Sequence, residues 1–130
     1  MTAITVGTEI PPVSDTATLA RLVQYAGASG DLNPLHFDTE FAAAVSPTGG
    51  LIAHGMLSMG LVSRAVTAFA GGPEHVCELT VRFVRPWPVD TVATFGGKVT
   101  EIADGIAALA LWGDLEDGSR MLRGSATIRL

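Results

Sequence analysis

A chain of 130 residues, 48% of them hydrophobic, is long enough to bury one real core and too apolar to stay disordered. Its formal net charge of −5 argues against a nucleic-acid surface or a polybasic membrane anchor. A single cysteine, Cys77, excludes an intrachain disulfide and a cysteine-rich metal site. The opening MTAITVGTEIPPVS has no basic n-region and no apolar h-region, so no secretory signal is expected. No apolar run reaches transmembrane length, and the expected setting is cytoplasmic.

In chain order, Ile4 to Ile10 reads as a first strand ended by Pro11-Pro12. Ser14 or Asp15 offers an N-cap, and Leu19, Leu22, Val23 and Ala26 follow at helical spacing. A short helix over Thr16 to Ala26 is predicted, ended by Gly27 and Gly30. After a turn, Asp38 can cap a second helix, Thr39 to Val45, with Glu40 in its first turn where a negative charge suits the dipole. Ser46 to Gly50, SPTGG, is a loop. Gly55 to Ala70 is a longer helix with Arg64 as its only charge. Apolar residues on nearly every side predict burial all round, and Gly71-Gly72-Pro73 stops it.

Beyond that stop the period changes to two. Cys77, Leu79, Val81 and Phe83 alternate with polar residues, the pattern of a half-buried strand, which makes Cys77 a small buried hydrophobe. Arg85-Pro86-Trp87-Pro88 interrupts it, since proline cannot sit in a central ladder; Trp87 reads as a turn residue packing at an edge, or as a lid. Ala93 to Thr100 is the next strand, and Asp104-Gly105 signals a hairpin. Ile106 to Trp112 is apolar on both faces and belongs at the sheet centre. In Met121 to Leu130, Leu122, Ala126, Ile128 and Leu130 point one way and Met121 the other. Helices first and antiparallel strands after give an α+β class: one domain over 1–130, about five strands, with an edge or face left for a partner. A dimer is expected.

The polar groups concentrate between Tyr25 and Met56. Asp31 and His36 supply a carboxylate and an imidazole, and Asn33-Pro34 between them blocks a continuous helix because the residue before proline leaves the α region. An irregular turn therefore orients both. Taken singly, Asp31 could merely cap that turn and His36 could be a satisfied core histidine. His54 reads as structural, orienting the turn or pairing with a carbonyl. The spacing of Asp31, His36 and His54 matches no standard zinc pattern, so no metal is expected, and no cofactor.

YAGASGDLNPLH, with AHGM at Ala53 to Met56, resembles the hydratase-2 motif and second signature of the MaoC-like (R)-specific enoyl-CoA hydratases and (3R)-hydroxyacyl-thioester dehydratases. The resemblance runs from Val23 to Leu130. It implies a hotdog fold, in which a sheet wraps a central helix, and water added to or removed from a trans-2-enoyl thioester of CoA or acyl carrier protein. Asp31 and His36 match the pair that holds and activates water, and Gly55 matches the glycine whose backbone N–H bonds the thioester carbonyl. Asn33 matches the motif and shapes the turn. Ser63 matches a serine near the site in some bacterial hydratases. The chemistry agrees: hydration beside a thioester needs a base, an acid and a donor for the developing enolate oxygen, and which of Asp31 and His36 takes which step stays open. Arg64, Arg82 and Arg85 are cations available to CoA phosphates. The resemblance fits a homodimer, or a heterodimer in which this chain is the catalytic half. The alternatives are a non-catalytic acyl-binding subunit, which tends to lack the Asp and His, and a hotdog thioesterase, which often carries an acid on the long helix where this chain has none.

Overall fold

The computed structural model describes residues 3–130; Met1 and Thr2, where the segment read for a leader begins, lie outside them. The elements are β1 (Glu9–Thr16), α1 (Leu19–Ser29), a 3-10 turn at Pro34–His36, α2 (Thr39–Val45), α3 (Gly55–Ala70), a second 3-10 turn at Pro73–His75, and β2 (Val76–Phe83), β3 (Val92–Ala103), β4 (Ile106–Leu115) and β5 (Arg120–Arg129). The strands form one antiparallel sheet in the order β1-β3-β4-β5-β2. β4 is the middle strand, as its two apolar faces require. Asp104 and Gly105 carry φ of 52° and 74°, the two positive values that a type I′ hairpin demands.

The sheet curves around α3, which touches all five strands. Leu57, Leu61, Val62, Ala65 and Val66 of the helix join Phe95, Leu109, Leu122 and Ile128 of the sheet in one buried core. Burying each large side chain fully contributes about 1.5–3 kcal/mol, so this contact dominates the stability. It is the α+β hotdog arrangement. No helix among the described residues is long and apolar enough to cross a membrane.

Several expectations shift. β1 starts later than Ile4 and runs through Pro11-Pro12. It is an edge strand, and its register slips between Ile10 and Val13, so the prolines sit in a bulge where no ladder N–H is needed. Ser14 and Asp15 consequently lie in the strand. Thr18 caps α1 instead, its hydroxyl accepting the Arg21 N–H at 3.1 Å, and the left-handed Gly30, not Gly27, ends the helix. α2 and α3 match their predicted bounds, and Asp38 caps α2 by accepting from Glu40 and Phe41 N–H. α3 is not buried all round: Met56, Gly60, Arg64 and Ala68 form an outward stripe, because a single sheet covers only one side of it. Cys77 is exposed; the register shift between Val76 and Glu78 breaks the alternation that assigned it inward. Trp87 is neither an edge residue nor a lid. It is 2% exposed, packs edge-on to Phe95 and donates its indole N–H to the Thr91 carbonyl at 3.0 Å. Met121 is buried along with Leu122, so the start of β5 is covered on both faces.

Candidate active site

The segment Ser29 to Asp38 is a chain of local hydrogen bonds. Asp31 Oδ1 accepts from Asn33 N–H at 3.2 Å, and Asn33 Oδ1 accepts from Leu35 N–H at 3.0 Å. Two consecutive Asx turns thus bend the chain into the 3-10 turn, and Pro34 with its fixed φ opens that turn. Asn33 is spent on this geometry. Asp31 does cap the turn, but with one oxygen only.

The other oxygen faces His36. Asp31 Oδ2 and His36 Nε2 lie 3.8 Å apart, with the Asp31 side chain half exposed and the His36 ring nearly buried. His36 Nδ1 sits 2.7 Å from the Ile52 carbonyl. A carbonyl only accepts, so Nδ1 carries a hydrogen and Nε2 is the ring nitrogen turned toward Asp31. At 3.8 Å the two groups are too far for a direct hydrogen bond and well spaced to share a water.

Ile52 is held in turn. Residues 51–53 are stitched to 87–89 through Ala53 N–H to Trp87 O at 2.8 Å and Val89 N–H to Leu51 O at 2.9 Å. Next along the chain, His54 is 1% exposed. Its ring stacks on His36 at 3.7 Å between centroids and 21° between planes, and meets Tyr25 edge-on at 4.8 Å. Its Nε2–H donates to the Asp31 carbonyl at 3.2 Å, the carbonyl pairing expected of it, and among the described residues Nδ1 is left buried without a partner. Burial, with a smaller contribution from neighbouring His36, lowers the His54 pKa below its ordinary 6.5 despite the opposing Asp31 carbonyl bond. His54 is therefore a neutral ring that braces both candidate groups.

Asp31, His36 and His54 each present a ligand atom within 4.8 Å of the others. One nitrogen of each ring serves a carbonyl, which leaves His36 Nε2 and His54 Nδ1 as the free ring nitrogens of the group.

Directly after His54, α3 begins. A cavity of about 310 Å³ opens there, lined by Gly55, Ser58, Phe83, Trp87 and Met121 among others, with the exposed Arg85 also on its wall. Asp31 and His36 do not line it; Ile52 to Gly55 is the segment both features share, since Ile52 anchors His36 and also lines the cavity. Ser63 is half-buried beside the outward stripe of α3 and does not line this cavity. The sequence reading missed Ser58 and the Phe83 and Met121 walls. Ser58 had a signal: it is a polar residue three positions after Gly55, on the same helix face.

Comparisons with known proteins bear on these residues. The family model described as "MaoC like domain" matches residues 3–110. The chain is 34% identical over 89 residues to 3-hydroxyacyl-thioester dehydratase Y of Mycobacterium tuberculosis, covering 66% of this chain and 29% of that protein. It is 36% identical over 92 residues to fatty acid synthase beta subunit aflB of Emericella nidulans, covering 71% of this chain and 4% of that one. The chain thus spans less than a third of either relative. Among solved structures, an (R)-hydratase from A. caviae involved in PHA biosynthesis superposes with a TM-score of 0.89 at 27% identity, over 100% of this chain and 99% of that one.

Proposed function

The chain belongs to the MaoC-like dehydratase family, a family of hydro-lyases, and from that premise we propose that it is an (R)-specific enoyl-thioester hydratase, or in reverse a (3R)-hydroxyacyl-thioester dehydratase. The observation that carries this reading is the 3.8 Å gap between Asp31 Oδ2 and His36 Nε2, with the far nitrogen of His36 locked on Ile52 O. Water in that gap gives one hydrogen to Asp31 and the other to the Nε2 lone pair. As its oxygen bonds to C3, its O–H bond breaks and the proton passes to Nε2. The C2=C3 electrons move toward the thioester oxygen, and the proton returns to C2 from the same face. The Gly55 N–H, at the positive end of α3, receives the charge on that oxygen. The side chain of Asn33 maintains the turn. Ser63, which does not line the cavity, has no part in this step, and Arg85 at the cavity is the arginine best placed for a CoA phosphate.

A cytoplasmic homodimer belongs to this reading. β2 is a free edge of the sheet, and its sequence is self-complementary about Thr80. An antiparallel second copy centred there sets Glu78 against Arg82 twice. Reversing Arg82 alone weakens the dimer, and reversing Glu78 as well restores it, read by sedimentation.

The test uses the protein purified alone: loss of the conjugated enoyl-thioester absorbance over a series of chain lengths, with the product's chirality determined. A (3R) product supports the reading. No turnover across the series, or a (3S) product, overturns it.

A further inference from the structure

Helix α3 starts without a side-chain cap. Thr18 and Asp38 cap α1 and α2, whereas His54 gives α3 no capping hydrogen bond, its ring being committed to the Asp31 carbonyl and to His36. Backbone bonds back to the His54 carbonyl begin only at Leu57 and Ser58, at 3.1 and 3.5 Å. The first N–H groups of the helix, that of Gly55 among them, are left for whatever enters the cavity.

A second polar group lies there. Ser58 is 2% exposed yet lines the cavity, and among the described residues none of the hydrogen bonds around the helix start reaches its hydroxyl. Its place on the cavity wall leaves the hydroxyl within reach of a ligand oxygen. Helical side chains lean toward the N-terminus, so the hydroxyl of residue 58 covers the turn above it, where Gly55 sits. Gly55 has no Cβ to intervene. One placed there would meet the Phe83 ring at 3.1 Å, in the space that an entering carbonyl needs. The remaining walls are largely apolar: Phe83, Trp87 and Met121.

We propose that Ser58 is a second donor to the thioester carbonyl, its hydroxyl bonding the same oxygen as the Gly55 N–H. The proposal rests on the hydratase reading and goes beyond it by making the oxyanion site a pair, one donor from the backbone and one from a side chain a turn later. Ser58 exchanges no proton with substrate. It stabilises charge as that charge moves onto the carbonyl oxygen.

The test compares S58A, S58C and S58T in the full chain, each checked for fold by thermal melting. Losing one oxyanion donor lowers turnover on the order of 100-fold, so S58A and S58C, which remove or weaken the donor, fall in kcat on crotonyl-CoA with little change in KM. S58T keeps a hydroxyl and restores most of the rate. The enolate absorption of bound acetoacetyl-CoA supplies a readout independent of hydration: it weakens in S58A and S58C and persists in S58T. Parental kcat and an undiminished enolate band in S58A overturn the proposal while leaving the hydratase reading in place. A parent that binds acetoacetyl-CoA as the enolate but never hydrates crotonyl-CoA overturns the hydratase reading while the donor pair stands.

Discussion

At its C-terminal end α3 is finished with backbone alone: Gly71, at φ 84°, donates to Ala68 O, and Gly72 donates to Thr67 O. At its N-terminal end the cap position holds a buried histidine that offers the helix no bond. The same helix therefore has one closed end and one open end. Cavities open at both ends, the closed end contributing Ala68, Phe69 and Gly71 to their walls, but among the described residues only the open end adjoins a stacked histidine pair with Asp31 beside it. A residue that could have stabilised the helix by capping it is instead spent bracing Asp31 and His36, which is the kind of local conflict that marks function. The difference predicts that changes at the open end act on rate and changes at the closed end act on stability.

The largest effect belongs to the pair itself. Asp31→Asn and His36→Gln each lower crotonyl-CoA turnover by about 100-fold or more, the range of a lost acid–base group, with melting temperatures close to the parent. Asp31→Asn keeps the Oδ1 that accepts from Asn33 N–H, so the turn survives. Near-normal activity in either variant would break the assignment. Gly55→Ala comes next. The added methyl abuts Phe83 at 3.1–3.4 Å and displaces the carbonyl, costing on the order of 10- to 100-fold in kcat/KM, while Ala is a good helix residue and the half-exposed ring can yield. A parental rate in that variant would show that the open end is not where the thioester binds.

At the closed end, Gly71→Ala is a stability change. A Cβ there meets nothing within 4 Å, so the cost is the left-handed backbone alone, about 1–2 kcal/mol. Thr18→Ala removes the cap of α1 and costs about 1 kcal/mol. Denaturant melts measure both, and kcat is expected to stay at the parental value. A change in kcat at either site would erase the division between the two ends.

How much of this division the sequence carries differs by element. α2 and α3 are bounded by strong local chemistry, Asp38 at one start and the Gly71-Gly72-Pro73 stop, and their limits were readable. The pairing of Asp31 with His36 was readable too, because Asn33-Pro34 dictates a bend. β1 was not, because prolines in a strand depend on an edge position and a bulge, and both are tertiary facts. Cys77 misled because it is the one extra residue of a bulge between Val76 and Glu78, and a single inserted residue inverts a period of two. Trp87 misled because its neighbouring prolines signal a surface turn, while its burial depends on Phe95 and the Thr91 carbonyl. Ser58 escaped notice because a lone serine in an apolar helix is ordinary until the cavity beside it is known.

The smallest predicted effect is a pH dependence, and it tests whether His54 braces the site as a neutral ring. Its pKa is lowered in the folded state, chiefly by burial, so the unfolded chain takes up the proton first as acid is added. The stability tied to neutral His54 is therefore complete above 6.5, its ordinary value, and is lost as the pH falls from there through the lowered folded value. His54→Phe keeps an aromatic ring against His36 and Tyr25 and has no proton to gain. Melting temperatures of the two proteins measured from pH 7.5 downward should run parallel until the pH passes 6.5. Below that the parent should fall faster, and His54→Phe should also lose turnover at every pH because the Asp31 carbonyl has lost its donor. Parallel curves throughout would mean that His54 takes up its proton alike in the folded and the unfolded chain, and that its burial sets no preference for a neutral ring.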